Sequence, residues 1–375
     1  MKTYVLICVF IACLVMGCSN EGVGGKDSES LTLTANYTVL LSKDGILQTT
    51  YLNADSEGMS INPATSDLEL VDLPELTYRN GSKIGFLNSR IDCSAHISIH
   101  DFGDNTTANV SAFTEALNCD LSVKSMAFSD YKVFVAYTAP SSKKNDSYFI
   151  RILDVSTHPT TFKDIELQKE PRQLLESGNK IYLLVKDTYI TDKYSLMVMD
   201  SDNGAVTHEI NLGTDVLKIA KDNINNILVS YPNLHSLVDG NSMVVATTTN
   251  YVLGKEPMFG YSKSEFFGEH SLYYPMEAGS KSAYSHVAAV YDFKENISVL
   301  YIYENFLSQE ERNLKYEIED TTVVAYDSKN NLILIGYKKK GNNSKGGLMR
   351  IKPMPDPKFL DNVDLDGVPM ELFPD

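Results

Sequence analysis

Asn179-Lys180-Ile181-Tyr182-Leu183-Leu184 is the clearest copy of a short motif that recurs along the 375-residue chain. In each copy a polar turn introduces a run of aliphatic and aromatic residues, a composition that favours β-strands. The other copies occupy residues 82–87, 131–136, 225–230 and 330–335. Aligning the five copies on Lys83, Lys132, Lys180, Asn226 and Asn331 gives steps of 49, 48, 46 and 105 residues. The last step is a double one with an insertion, so the repeat has a period of about 47 residues.

Further strand-like runs follow these copies after polar loops, at residues 96–100, 149–153, 196–199 and 348–351. Asp202-Asn203-Gly204 introduces yet another run, and Asn and Gly accept the positive φ that a tight hairpin requires. Three to four antiparallel strands in about 45 to 50 residues make one blade of a β-propeller. Residues 30–375 hold close to seven such units.

We therefore predict an all-β fold, a β-propeller of seven four-stranded blades. One blade would be completed by strands from both ends of the chain, with residues 31–41 as the N-terminal contributor. A two-domain β-sandwich is the alternative. The composition agrees with an all-β domain: 43% of residues are hydrophobic, which excludes bulk disorder, and 22 Tyr and 15 Phe suit half-buried pleated surfaces.

The net charge narrows the range of partners. The formal charge is −16 at pH 7, which repels nucleic acid and lacks the basic surface that phosphate binding requires. We predict no nucleic-acid partner.

The first eighteen residues indicate the compartment. Lys2 precedes an uncharged, mostly apolar run at residues 4–16, which is typical of a secretory signal and, at roughly 13 residues, too short to span a bilayer. Val15-Met16-Gly17-Cys18 resembles the bacterial lipobox. The resemblance implies that residues 1–17 are a signal peptide and that Cys18 is lipidated and becomes the new N-terminus. The alternative is an ordinary signal peptide with an incidental Cys18.

Ser19 stands where an inner-membrane retention signal usually carries Asp, so the resemblance implies an outer-membrane lipoprotein that faces the periplasm or the cell surface. Residues 18–29 have no hydrophobic periodicity, which indicates a flexible tether that begins at Cys18, the residue whose lipidation the resemblance implies, and leads to the domain at 30–375. The lipobox and the blade-length repeats together resemble the propeller lipoproteins of Bacteroidetes, including those encoded near glycan- or iron-uptake systems.

This resemblance implies an extracytoplasmic binding protein, anchored to the membrane through its N-terminal lipid. Such a protein would assist the uptake of a glycan or an iron chelate. It would bind an unidentified ligand or an outer-membrane protein partner. The competing hypothesis is a glycan-active enzyme on a propeller scaffold. The chain has no Gly-x-Ser-x-Gly, His-Glu-x-x-His or Walker motif, so we assign no catalytic residue, metal or cofactor.

Two short patterns resemble metal sites without meeting their requirements. His96 and His100 are four residues apart on a strand, roughly 13 Å, which favours ordinary strand packing over shared metal binding. Residues 362–367 resemble the start of a calcium loop, but position twelve is Phe373 instead of Glu. A polar turn before the closing strand is the better interpretation.

Cys93 and Cys119 are the two cysteines left after Cys8, Cys13 and Cys18 are assigned to the N-terminal segment. An even pair in an exported chain favours a disulfide. The flanking runs predict a hairpin whose turn surrounds residues 103–105. Pairing Ala95 with Leu117 would place the two cysteines opposite each other. The alternative is two buried free thiols.

The double step contains an insertion rich in aromatic residues. Residues 251–284 carry eight Tyr and Phe side chains, interrupted by Gly and Pro. Long loops on a propeller face commonly carry binding residues. We predict that this segment binds a ligand on one propeller face; the alternative is that its rings pack a blade core. The candidate ligand-binding residues are Tyr261, Phe266, Phe267, His270, Tyr273 and Tyr274, with Lys255 and Lys263 as further polar contacts.

Overall fold

The computed structural model describes residues 34–63, 68–70, 72–89, 93–114, 120–140, 146–157, 159–341 and 344–374. The predicted signal peptide at 1–17, lipid attachment at Cys18, the tether at 18–29 and the domain boundary at residue 30 lie outside these ranges. Within them, no helix has both the length and the apolar character to cross a membrane.

The described residues form 29 β-strands. The chain begins with β1 (Ala35–Lys43), β2 (Ile46–Ala54), β3 (Met59–Asn62) and β4 (Glu69–Leu70). Blade 1 contains β5 (Leu76–Asn80), β6 (Lys83–Ser89), β7 (Ala95–Asp101) and β8 (Thr106–Phe113). Blade 2 contains β9 (Ser122–Phe128), β10 (Lys132–Ala139), β11 (Ser147–Asp154) and β12 (Thr161–Leu167). Blade 3 contains β13 (Glu170–Ser177), β14 (Lys180–Lys186), β15 (Tyr194–Asp200) and β16 (Val206–Gly213).

Blade 4 contains β17 (Lys218–Lys221), β18 (Ile227–Ser230), β19 (Leu234–Val238) and β20 (Val245–Asn250). Blade 5 contains β21 (Phe266–Phe267), β22 (Ser271–Glu277), β23 (His286–Asp292) and β24 (Ile297–Tyr301). Blade 6 contains β25 (Ile318–Asp327), β26 (Leu332–Lys339), β27 (Gly346–Lys352) and β28 (Lys358–Leu365), and the last strand is β29 (Val368–Pro374). Short helical turns occupy Phe259–Tyr261, Gly279–Lys281, Tyr303–Asn305 and Glu311–Lys315.

Blade 7 closes the ring with strands from both ends of the chain. Its order is β29, β1, β2 and β3, and β4 adds a short pairing to β2. β1 runs antiparallel to β29 from Tyr37 opposite Pro374 to Ser42 opposite Val368. The Tyr37 hydroxyl donates a hydrogen bond of 2.7 Å to buried Asp327 of blade 6. The fold is therefore an all-β propeller of seven four-stranded antiparallel blades, as predicted.

The antiparallel order gives the propeller two faces. In blades 1 to 6 the first strand lines the central channel, and in blade 7 β29 takes this position. We call the face where these innermost strands begin the upper face. It carries the connections between blades and the turns between second and third strands. The lower face carries the turns between first and second strands and those between third and fourth strands.

The repeated motif corresponds to the second strand of a blade. Its five copies supply β6, β10, β14, β18 and β26. β14 shows why this strand is apolar throughout: Ile181 and Leu183 pack against blade 2, whereas Tyr182 and Leu184 pack against blade 4. Burial on both sides replaces the usual alternation of apolar and polar residues by a continuous apolar run. Each such side chain contributes roughly 1.5–3 kcal/mol on burial.

The hairpin of β7 and β8 differs in register from the sequence prediction. Ala95 pairs with Phe113, not with Leu117, and a bulge follows before His96 pairs with Ser111. The turn around residues 103–105 is as predicted. Cys93 is disulfide-bonded, while its predicted partner Cys119 lies outside the described residues. The pairing of these two cysteines remains a prediction that the strand register does not support by itself.

The two histidines of β7 take part in local packing. Nδ1 of buried His100 lies 2.8 Å from the Thr107 hydroxyl, and His96 lies within hydrogen-bond distance of Ser94 and Ser111. Near the C-terminus, residues 362–365 belong to β28, and a turn at 366–367 leads into the closing strand β29. Among the described residues, no group of three or more His, Cys, Asp or Glu side chains is arranged to hold a metal ion.

Candidate ligand-binding site

A cavity of about 1020 Å³ lies at the upper mouth of the central channel, between blades 5, 6, 7 and 1. Its walls come from the starts of β5 and β25, from β29, from the end of β22 and from the connection that precedes β21. The charged and titratable residues that line it are Glu75, Lys263, Glu277, His286, Asp320 and Glu371. Apolar lining residues include Leu40, Leu47, Leu73, Pro74, Met258 and Met370. This size suits a ligand of a few sugar units or a comparable small molecule.

A partly buried ion pair lies deeper in the channel than the mouth of the cavity. Arg79 donates hydrogen bonds to Glu371 at 3.3 Å and to the carbonyl oxygen of Leu372 at 3.0 Å. Its guanidinium carbon lies 4.1 Å from the ring centroid of Phe373. Burial raises the pKa of Glu371 and lowers the pKa of Arg79, and each charge counteracts the shift of the other. The pair thus links blade 1 to the closing strand.

A second buried carboxylate lies near Glu371. Glu265 forms an ion pair with Lys218 of β17, and burial raises the pKa of Glu265. The charge of Glu265 also contributes to the raised pKa of Glu371, because the two carboxylates are close in a poorly solvated channel. One oxygen of Glu265, Oε2, has no hydrogen-bond partner among the described residues. The interior of the channel is therefore charged but closely balanced.

His286 and Asp320 form a rigid pair on the cavity wall. Nδ1 of His286 lies 2.8 Å from Oδ2 of Asp320, and the backbone N–H of His286 donates to Oδ1 at 2.6 Å. His286 begins β23 and Asp320 lies near the start of β25, so the pair also joins blades 5 and 6. Glu277 is the direct cross-strand neighbour of His286. The cavity therefore gathers carboxylates and an imidazole from two blades.

Hydroxyl groups occupy the same wall. Thr321 is held by Tyr303, whose hydroxyl lies 2.7 Å from Oγ1. The neighbouring Oγ1 of Thr322 is buried and has no hydrogen-bond partner among the described residues. Glu75 accepts hydrogen bonds from the hydroxyl of Ser89 at 3.0 Å and from its backbone N–H at 3.3 Å. The wall is consequently rich in hydrogen-bond acceptors.

Part of the predicted aromatic insertion reaches this cavity. Tyr261 lines the cavity with a side chain that is 54% exposed, and Lys263 lines it two residues later. Both belong to the connection between β20 and β21 on the upper face. Lys255, on the same connection, is exposed and does not line the cavity.

The other aromatic candidates belong to blade 5 itself. Phe266 and Phe267 form β21 and are half-buried; Phe267 stacks on Phe293 with parallel rings 6.5 Å apart. Tyr273 and Tyr274 lie in β22 and are buried. The Tyr274 hydroxyl donates to the carbonyl oxygen of Pro257 at 2.5 Å. These two tyrosines serve the blade core, which corrects the expectation that residues 251–284 form one recognition loop.

His270 lies apart from Tyr261. It belongs to the turn between β21 and β22, which is on the lower face, and its exposed ring lies 3.4 Å from Glu269. The insertion thus contributes residues to both faces of the propeller. The six predicted residues do not come together at one site. Only Tyr261 among the six lines the cavity.

Sequence reasoning missed Glu277, His286, Asp320 and Glu371. They come from three blades, and no local motif joins them. Their position in the repeat is the feature that could have identified them. Glu277, His286 and Asp320 lie at the upper ends of inner and middle strands, and Glu371 lies within β29. Such positions are visible only once the strand boundaries of each repeat are known.

Comparison with protein-family models gave no match, and comparison with curated proteins gave none. Solved structures with a similar fold include the β-propeller domain of the Trilobed protease from Pyrococcus furiosus, with 10% identity over 88% of this chain and 98% of that chain and a TM-score of 0.47. The dihydro-heme d1 dehydrogenase NirN, in complex with DHE, gives 11% identity over 90% and 74%, with a TM-score of 0.49. Hsv2p of Kluyveromyces lactis gives 10% identity over 91% and 98%, with a TM-score of 0.45. The likeness concerns the fold alone.

Proposed function

We propose that this chain is a non-catalytic binding protein, anchored to the outer membrane through Cys18, whose ligand occupies the cavity at the upper mouth of the channel. The observation that supports this proposal is the cavity itself: Tyr261 offers a partly exposed ring beside an acceptor-rich polar wall. An aromatic face with a few convergent polar groups is the usual composition of a small-molecule site.

The charges of the wall favour a neutral glycan over an anionic iron chelate. Four carboxylates line the cavity, from Glu75, Glu277, Asp320 and Glu371, against one lysine, Lys263. Among the described residues, Glu371 is the one of these four carboxylates that pairs with an arginine or lysine, namely Arg79. The whole chain carries −16 as well. An anion that enters this cavity would be repelled by the carboxylates. A neutral sugar can donate hydrogen bonds from its hydroxyl groups to the carboxylates and stack its ring on Tyr261.

Calorimetric titration tests the ligand class. The purified domain would be titrated with maltotriose, cellotriose, xylotriose and chitotriose, and with ferric citrate as an anionic iron chelate. We expect binding of at least one neutral trisaccharide and none of ferric citrate. Tyr261→Ala should weaken that binding, while Tyr131→Ala, a 67% exposed tyrosine on the lower face, serves as the matched control. Binding of ferric citrate alone would refute the glycan proposal.

The anchor is tested separately in cells. Cys18→Ser should release the protein from the membrane fraction or leave its signal peptide uncleaved, because the lipid would have no attachment point. Normal processing and unchanged membrane association of this variant would refute the lipoprotein proposal without affecting the ligand proposal.

A glycan-active enzyme is the second candidate, because the cavity contains a carboxyl group whose pKa is raised. Burial favours the protonated form of Glu371, and a protonated carboxyl beside an ionised one is what a glycosidase requires. Arg79 opposes this by stabilising the ionised form. Chromatography of each trisaccharide after prolonged incubation distinguishes the two: an enzyme would release products, and Glu371→Gln and Asp320→Asn would each abolish the release.

A further inference from the structure

The pair of His286 and Asp320 fixes more than the position of one ring. Asp320 accepts two hydrogen bonds from His286, one from the backbone N–H at 2.6 Å and one from the ring at Nδ1, 2.8 Å away. An ionised carboxylate can only accept. In the neutral imidazole, the proton must therefore be on Nδ1, which leaves a lone pair on Nε2.

Nε2 is placed where a ligand could use that lone pair. The His286 side chain is 39% exposed and lines the cavity. No described residue forms a hydrogen bond with Nε2. Nε2 of His286 is therefore a hydrogen-bonding atom on the cavity wall that the described residues leave unused.

We infer that Asp320 is a positioning residue that holds His286 with Nε2 as the acceptor for a hydroxyl group of the ligand. The inference rests on the proposed function for the identity of the ligand. It adds that His286, held by Asp320, favours a ligand group that donates a hydrogen bond. A hydroxyl of a neutral sugar satisfies Nε2, whereas an ether or a carboxylate oxygen at the same place leaves both lone pairs facing each other. Glu277, the cross-strand neighbour of His286, reinforces the preference for donors.

Nitrogen NMR of the free protein tests the positioning role without any ligand. The chain has only 7 His, so 15N-histidine labelling gives a small set of ring signals. The two nitrogen signals that disappear in the His286→Gln variant belong to the His286 ring. We expect the Nδ1–H tautomer in the neutral ring. Asp320→Asn should shift the ring toward Nε2–H, because an amide can also donate to Nδ1. Glu75→Gln removes the same charge from the cavity and should leave the His286 signals unchanged.

Titration with the trisaccharide that binds the wild-type protein tests the consequence. Asp320→Asn should weaken that binding by about tenfold, the effect of one misdirected hydrogen bond. An Nε2–H tautomer in the wild-type protein would overturn the inference whether or not a sugar binds. Equal sugar affinity of wild type and Asp320→Asn would also overturn it, while leaving the binding function intact. If no trisaccharide binds, the ligand proposal fails and the tautomer measurement still decides the role of Asp320.

Discussion

Nζ of Lys180 donates a hydrogen bond of 2.7 Å to the carbonyl oxygen of Gly240, which lies in the next blade. The same repeat position is occupied by Lys83 and Lys132, and each of these also reaches the following blade. Lys83 contacts Asp130 at 2.7 Å, and Lys132 donates to the carbonyl oxygen of Ser201 at 3.2 Å. The lysine of the repeated motif is thus an inter-blade contact on the lower face.

Replacing this lysine should destabilise the propeller without affecting the cavity. We expect Lys180→Met to lower the free energy of unfolding by about 1–2 kcal/mol, because Gly240 would lose a charged donor. Lys329→Met, an exposed lysine of the blade 6 turn, is the matched control and should change stability by less than about 0.5 kcal/mol. Urea unfolding monitored by fluorescence measures both. Equal effects of the two variants would contradict an inter-blade role.

A buried histidine predicts a pH-dependent stability. His235 is 2% exposed and is surrounded by aromatic rings, with Nδ1 2.9 Å from the Tyr251 hydroxyl. Burial lowers the pKa of His235 to about 4 from an ordinary value near 6.5. The unfolded chain therefore takes up a proton that the folded chain does not. Stability is complete above about pH 6.5 and falls as the pH drops toward 4, by roughly 3 kcal/mol in total.

His235→Phe should remove this contribution to the pH dependence, since phenylalanine does not titrate. The variant loses the bond to Tyr251, so its stability at pH 7 should be lower than that of the wild type, and the two should converge toward pH 4. His208→Gln changes an exposed histidine and should keep the wild-type slope. Thermal unfolding between pH 4 and 7.5 measures this. A slope unchanged in His235→Phe would contradict the assignment.

The ion pair in the channel predicts a non-additive pair of mutations. Arg79→Met should cost about 1–3 kcal/mol at pH 7, because it leaves the partly buried carboxylate of Glu371 without its charged partner. Glu371→Gln in the same chain should restore part of that loss. Since burial raises the pKa of Glu371, the deficit of the single variant should be smaller near pH 4.5, where the carboxyl group is protonated. Strict additivity in urea unfolding would contradict the coupling.

The repeat could be predicted because the second strands are buried on both sides. Ile181 and Tyr182 face different blades, and such strands appear in the sequence as apolar runs at a constant spacing. Two second strands lie outside the five copies: β1 of blade 7, which was predicted as the N-terminal contributor, and β22 of blade 5. In β22, Pro275 interrupts the apolar run, so the sequence indicated turns where the structure has the second strand of blade 5.

The cavity could not be predicted in the same way. Glu75 and Glu371 are nearly 300 residues apart and meet only because blade 7 joins the two ends of the chain next to blade 1. The predicted hairpin register was wrong for a local reason. Ala95 pairs with Phe113 instead of Leu117, so the loop is shorter than predicted, and a bulge follows Ala95. Sequence periodicity thus reports the strands, while bulges and long-range closure decide which side chains meet.

The disulfide of Cys93 gives a covalent prediction. Cys93 is bonded, and Cys119 is the cysteine expected to complete the bridge, because the predicted signal peptide would take Cys8 and Cys13 and the lipid would occupy Cys18. Mass spectrometry of peptides from the non-reduced protein should show residues 93 and 119 in one linked species, which separates on reduction. The double variant Cys93→Ala/Cys119→Ala should have a free energy of unfolding that is lower by about 2–4 kcal/mol, as measured by urea unfolding. A linkage of Cys93 to any other cysteine would refute the pairing.

Tyr261 and Tyr274, thirteen residues apart, should respond to truncation in opposite ways. Tyr261 is 54% exposed at the cavity, so Tyr261→Ala should change stability by no more than about 0.5 kcal/mol while weakening ligand binding. Tyr274 is fully buried and its hydroxyl is bound to the Pro257 carbonyl oxygen, so Tyr274→Ala should cost about 3–5 kcal/mol. Tyr274→Phe isolates the hydroxyl and should cost about 1–2 kcal/mol. Thermal unfolding and trisaccharide titration of the three variants separate the two roles. A large stability loss in Tyr261→Ala would assign this ring to the blade core and remove the aromatic contact from the binding site.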